Sequence, residues 1–447
     1  MRTPKPPANA PGAHARDRGR GRLLARGLGA VFLCVLASPA AVAAGDGDQA
    51  RWLRLAVERL CPLPDLSGLD AQHALAGSWL LDETRRPDDR EPRHIAVRLL
   101  LPGADELAIE RRQYRGRLRQ FLVSYAAHDG ARARPALLAI ADGSCGIRSG
   151  RAIREGLDGW RFLDQLDGDL ETLKWTETLQ APWPAGRDPG GVRVALVDSG
   201  LAYDLKPFRD RLARDGAGMP LGYDFWDLDP WPYDGDVSRG PFLPIRHGTA
   251  VASVLAREAP EAALIPLRYP RPDMARMGAL VARAAAAGAR ILALPLGSRK
   301  AEDWGAFETA LRGRDILAVV SAGNDGRDID EDPVYPAALP LENILTVTSS
   351  DGFGRLARGS NWGAASVDVM LPAENLAVLD FRGASGRASG SSYAVPRLAA
   401  LAARILAREP GLSAAGLKAR ILARAAPSPY EREGAVAAGW IPDPLSE

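Results

Sequence analysis

The chain has little of what would mark several large protein classes. Cysteine is scarce, three residues in 447, and no C-x-x-C occurs, so neither a zinc site nor thioredoxin-like redox chemistry is indicated. Of its five histidines, His73, His94 and His128 are scattered without metal-ligand spacing. A net charge of only +2 gives no bulk electrostatic case for nucleic acid. After residue 44 no apolar run approaches the length of a membrane span, no repeat recurs at 20–50 residues, and there is no G-x-S-x-G. What is present is ordinary globular composition, 46% hydrophobic and 25% charged, which excludes a wholly disordered chain, a collagen and a polytopic membrane protein. The length leaves room for about two to four domains.

The charge is unevenly placed. Residues 1–44 hold seven basic residues and one acid, Asp17, so removing their +6 from the total leaves the rest at −4. The basic stretch ends at Arg22 and Arg26 and is followed by the apolar run Leu28–Ala37, then Ser38, Pro39 and the small residues Ala40–Ala44. This is the pattern of a secretory signal cleaved after Ala43 or Ala44. The expected mature protein is exported, periplasmic or extracellular, with no integral membrane segment. Cys34 leaves with the leader. Cys61 and Cys145 remain, an even pair that an oxidising compartment permits to form a disulfide.

Residues 45–165 read as one unit. Asp48–Pro62 has the pattern of a short helix, and Ile95–Leu101, Glu106–Tyr114, Leu118–Ala126 and Pro135–Ala141 that of strands bounded by turn residues. The expectation is a small antiparallel α+β domain. A Pro- and Gly-rich linker, 166–191, leads to residues 192–430, where short apolar strands alternate with helices. That alternation predicts an α/β fold with a parallel sheet flanked by helices. Residues 431–447 are expected to be a tail.

In such sheets functional groups gather at the carboxyl ends of strands. The first strand ends Val197-Asp198-Ser199-Gly200, with glycine for a sharp exit. Arg246-His247-Gly248-Thr249 runs into a helix, and Ser321-Ala322-Gly323-Asn324 follows a strand. Gly390-Ser391-Ser392-Tyr393 opens the last long helix, where backbone N–H groups favour a developing anion. Together these supply the parts of an acyl-transfer site: a serine nucleophile, a base, an acid to orient the base, and a donor for the oxyanion. Their order in the chain is Asp, His, Ser.

These blocks resemble the subtilisin-like serine proteases, the subtilases of peptidase family S8. Val194–Gly200 resembles the family's aspartate block and His247-Gly-Thr-x-Val-Ala its histidine block. Ser321–Asn324 resembles the oxyanion block and Gly390-Ser-Ser392-Tyr-Ala-x-Pro396 the serine block. Gln180-Ala-Pro-Trp, Gly222-Tyr-Asp-Phe-Trp-Asp and Ser360-Asn-Trp-Gly363 are weaker matches. The resemblance implies a three-layer fold and a serine endopeptidase that needs no cofactor for its chemistry. It implies that Asp198 orients His247, that His247 is the base for Ser392, and that Asn324 donates to the oxyanion. It also implies that Pro295, Leu296 and Gly297 align a protein or peptide substrate, opposite a pocket wall of Ser321, Ala322 and Gly323. Arg246, Pro295, Ser391 and Tyr393 depart from the family's usual residues. The rival readings are a non-catalytic subtilase-like binding module and a serine esterase on the same triad.

Family members often bind calcium. The run Asp224, Asp227, Asp229, Asp234, Asp236 lacks EF-hand spacing and reads as a solvated loop, so structural calcium stays unassigned. The front domain stands where many family members carry a propeptide. It is expected to be either an inhibitory or chaperone prodomain, cut off near residues 165–190, or a retained accessory domain.

Overall fold

The computed structural model describes residues 47–86, 93–130, 132–156, 160–430 and 434–446. The expected leader, with Cys34, lies outside the described residues. Among these residues no helix is long and apolar enough to cross a membrane.

The front domain opens with α1 (Gly47–Leu60) and α2 (Gly68–Ala74). Eight strands follow: β1 (Trp79–Arg86), β2 (Arg93–Leu100), β3 (Glu106–Tyr114), β4 (Arg117–His128), β5 (Ala133–Ala141), β6 (Ile147–Glu155), β7 (Arg161–Asp167) and β8 (Leu173–Thr178). They form one antiparallel sheet in chain order, each strand paired with the next. Alternation sends Phe121, Val123 and Tyr125 of β4 and Leu137 and Ala139 of β5 to one face, where they pack with Leu53, Val57 and Leu60 of α1. Leu122 and Leu138 point to the other face. Cys61, just past α1, and Cys145, before β6, are joined in a disulfide, their Cα atoms 5.7 Å apart. The sheet does not stop at residue 165. The expected linker supplies the end of β7 and all of β8, whose short alternation, Leu173 and Trp175, is exposed instead of buried.

The second half is a seven-stranded parallel sheet in the order β10-β11-β9-β12-β13-β14-β15. Its strands are β9 (Arg193–Asp198), β10 (Tyr223–Asp224), β11 (Ala263–Arg268), β12 (Ile291–Leu294), β13 (Leu317–Ser321), β14 (Ile344–Ser350) and β15 (Val369–Pro372). Its strands are almost continuously apolar because both faces are covered. Val194 and Leu196 face α4 (Gly248–Glu258), α7 (Ser391–Arg408) and α8 (Ala414–Leu422), while Ala195 and Val197 face α5 (Met277–Ala286) and α6 (Gly305–Leu311). A one-turn α3 (Lys206–Arg209) and a hairpin, β16 (Leu376–Leu379) with β17 (Ser385–Ala388), complete it. Of the expected tail, residues 434–446 are described and pack against the second half. Val436 and Ile441 are buried, and Trp440 bridges both Met370 and Ala426.

The chain leaves β9 toward β10 and β11 on one side and returns to β12 on the other. The strand order therefore reverses at β9, which opens a crevice at the carboxyl ends of β9 and β12.

Candidate active site

That crevice is a cleft of about 880 Å³, and Asp198, His247, Pro295, Leu296, Gly297 and Ser392 are among its lining residues. Asp198 is the last residue of β9 and is buried. Gly200, two residues on, has φ +112°, and a Cβ there would sit 2.4 Å from the Tyr233 carbonyl oxygen, so only glycine makes this exit. His247 precedes α4, and its Nδ1 lies 2.8 and 2.9 Å from the two carboxylate oxygens of Asp198. This fixes the proton on Nδ1 and leaves Nε2 as the basic nitrogen. Burial disfavours the imidazolium, but the charge and hydrogen bond of Asp198, with Asp234 behind them, outweigh it and raise the His247 pKa to about 8.

His247 has no side-chain cap to offer α4; the cap comes from elsewhere. The Ser199 hydroxyl accepts from the N–H groups of His247 at 3.1 Å and Gly248 at 2.9 Å, and donates to Asp234 at 2.6 Å. The other Asp234 oxygen accepts the Thr249 N–H at 3.0 Å. Three N–H groups at the helix start are satisfied this way, and the negative charge faces the positive end of the dipole. The clamp holds the backbone of His247 itself.

Ser392 is half-buried in the first turn of α7. Its hydroxyl donates to the Pro295 carbonyl at 3.3 Å, and no hydrogen bond joins it to His247 among the described residues. The Asn324 side-chain oxygen accepts from both the N–H and the hydroxyl of Ser391, at 2.9 and 3.0 Å, so its NH₂ is the end left for a ligand. Gly390, at φ +123°, lets the chain pass, since a Cβ there would lie 3.0 Å from that same oxygen.

The expected pocket wall behaves differently. Ser321, Ala322 and Gly323 do not line the cleft. Ser321 turns its hydroxyl to Ser391 at 2.7 Å, Ala322 is buried in the core, and Asn361 braces the loop by donating to the Ala322 carbonyl and accepting from Asp325 and Arg327. These residues support Asn324 instead of facing the cleft.

The acidic run is not a solvated loop. Asp224, Asp234 and Asp236 are buried. Arg268 holds Asp224 and Asp227, Tyr269 and Arg271 hold Asp236, and Asp229 accepts the Trp231 N–H. With their oxygens on arginines, hydroxyls and amides, these donors do not fit a calcium cage. Among the described residues no group of three or more His, Cys, Asp or Glu could hold a metal ion.

A family model described as the Subtilase family matches residues 190–438. The chain belongs to the subtilase family. A thermophilic serine proteinase of Bacillus sp. (strain AK1) is 27% identical over 238 residues, 49% of this chain and 53% of that protein. A probable subtilase-type serine protease of Deinococcus radiodurans is 28% identical over 267 residues, 52% of this chain and 36% of that protein. This subtilase spans about half, or less, of the length of the curated relatives it matches. The crystal structure of a cold-adapted subtilisin-like serine proteinase is 22% identical and covers 58% of this chain and 92% of its own, with a TM-score of 0.47.

Three of the four sequence blocks thus bring Asp198, His247 and Ser392 to one strand-end crevice; the fourth does not line it, and its Asn324 touches Ser391, the neighbour of Ser392. Sequence reasoning missed the supports. Ser199 and Asn361 stood inside quoted blocks without a role, and nothing set Asp234 apart from the other acids of its run. Tyr393 was noted as a departure; its ring lies 5.9 Å from that of His247.

Proposed function

We propose that this subtilase is an exported serine endopeptidase acting through an acyl-enzyme on Ser392. The observation that carries the reading is the two-oxygen grip of buried Asp198 on His247 Nδ1, in the cleft that Ser392 also lines. Rotation about χ1 of Ser392 takes its hydroxyl from Pro295 toward His247 Nε2, and an incoming substrate amide can take the freed Pro295 carbonyl. Ser392 Oγ then forms a bond to the substrate carbonyl carbon while its proton passes to Nε2. The negative charge gathers on the carbonyl oxygen, where the Asn324 NH₂ and the Ser392 N–H donate to it. Collapse breaks the C–N bond, and the amine leaves with the proton from Nε2. Water repeats the sequence and releases the acid. An extended peptide beside Pro295–Gly297 would bind by strand addition. The Cys61–Cys145 disulfide supports an oxidising, extracytoplasmic location.

One contact favours a non-catalytic binding module: the Ser392 hydroxyl on Pro295 rather than on His247. Turnover of matched peptide and ester substrates by the chain lacking residues 1–44 decides. Peptide cleavage abolished by Ser392→Ala supports the endopeptidase; ester cleavage alone makes the chain an esterase; neither makes it a binding module.

A further inference from the structure

The front domain touches the subtilase half beside the cleft, and none of its described residues lines that cleft. Its outer sheet face, Leu122, Leu138 and Leu163, closes over Phe242. Arg151 of β6 donates to the Phe242 carbonyl at 2.7 Å. Phe242 lies in an arm whose two ends pair, Asp236 with Ile245, and which runs directly into Arg246 and His247. Arg246 reaches Glu177 of β8 at 3.5 Å, both side chains only 9% exposed, and its guanidinium lies 4.5 Å over the Phe381 ring. The residue that departs from the family's usual glycine before the histidine therefore makes the buried charged contact between the two halves.

The segment between them is built in as well. Ala181 is buried and its carbonyl accepts from the Tyr203 hydroxyl; Trp183 packs on the Tyr203 ring at 4.1 Å. Arg214 donates to the Pro184 carbonyl at 2.7 Å, and Asp188 accepts the Arg214 N–H at 2.7 Å. The window in which a maturation cut was expected is anchored to the subtilase core.

We propose that residues 47–178 are a permanent second domain that holds the His247 segment from outside the cleft, with Arg246–Glu177 as the coupling contact, rather than a prodomain that blocks the cleft and departs. Arg246 is a positioning residue. Its effect on catalysis rests on the endopeptidase reading; the retention of the domain does not.

The test uses the chain from residue 45 with a site-specific protease sequence inserted in the exposed stretch Ala185–Arg187. After cutting, the two pieces co-elute on gel filtration if the domain is permanent, and separate if it is a prodomain. In the uncut chain, Glu177→Ala, shown to be folded by near-UV circular dichroism, slows fluorophosphonate labelling of Ser392 about tenfold, because a displaced base costs rate steeply. It also moves the acid limb of the labelling rate to lower pH, since Arg246, next to His247 in the chain, then loses the counter-charge of Glu177 and keeps that of Asp234. A general loss of stability would not move that limb. Separation of the pieces, faster labelling after the cut, or wild-type rate and limb in Glu177→Ala overturns the proposal. Absence of labelling in every form counts against the endopeptidase reading, and the elution of the cut pieces still decides retention.

Discussion

Asp198 meets His247 with both carboxylate oxygens, 2.8 and 2.9 Å from Nδ1. The carboxylate is buried and the imidazole it orients opens onto the cleft.

The first prediction is a pH profile. The raised pKa of about 8 means that His247 is the imidazolium below that pH, and an imidazolium cannot take the Ser392 proton. kcat/KM should fall as pH falls through about 8, roughly tenfold per unit below it. Asp198→Asn should shift that limb to lower pH and cost on the order of 10⁴ in kcat. A profile flat from pH 6 to 9 contradicts the assignment of His247 as base.

Asn324→Ala removes the side-chain amide to which the proposed mechanism gives the oxyanion. The expected loss is about 10²–10³ in kcat with KM little changed. Steady-state kinetics on one peptide would read this; a change confined to KM would make Asn324 a substrate contact only.

Ser199→Ala strips the acceptor from the His247 and Gly248 N–H groups. Stability should drop by about 1–3 kcal/mol for buried donors left unpaired. Thermal unfolding measures it, and an unchanged Tm would mean that the clamp adds nothing.

How legible these parts were follows from what each does. In the proposed mechanism Asp198, His247, Asn324 and Ser392 carry the reacting or directing groups, so chemistry and chain order pick them out together. The parallel sheet was legible because strands buried on both faces are almost wholly apolar, as Val194–Val197 shows. β1 and β8 lie at the two ends of the front sheet with their side chains largely exposed, so β1 shows no apolar alternation and that of β8 is only Leu173 and Trp175. Ser199, Asp234 and Asn361 act on backbone groups brought close only by the fold, and spacing along the chain does not encode that proximity. The same holds for Glu177 and Arg246, 69 residues apart.

The cleft rim carries Arg271, Arg299 and Lys300. Arg271 pairs with Asp236 and Arg299 with Asp332, while Lys300 has no ion-pair partner among the described residues. A peptide with Glu near this rim should be cleaved faster than its Lys counterpart. Exposed charges contribute about 0.2–1 kcal/mol, so the preference is up to about fivefold and fades with salt. Lys300→Glu should cancel or reverse it; a preference that ignores both salt and this substitution has another origin.

The disulfide closes a loop of 84 residues within the front domain. Replacing both Cys61 and Cys145 by Ala should cost roughly 2–5 kcal/mol. Chemical denaturation of the two forms would show it, and identical midpoints would rule that contribution out.

The most direct measurement is active-site labelling. The chain lacking residues 1–44 is treated with a fluorophosphonate, and the modified peptide is located by mass spectrometry beside Ser392→Ala. The account predicts a single adduct on Ser392, absent in the variant and formed faster as pH rises through about 8. A folded protein that takes no label, or takes it equally in Ser392→Ala, would contradict it.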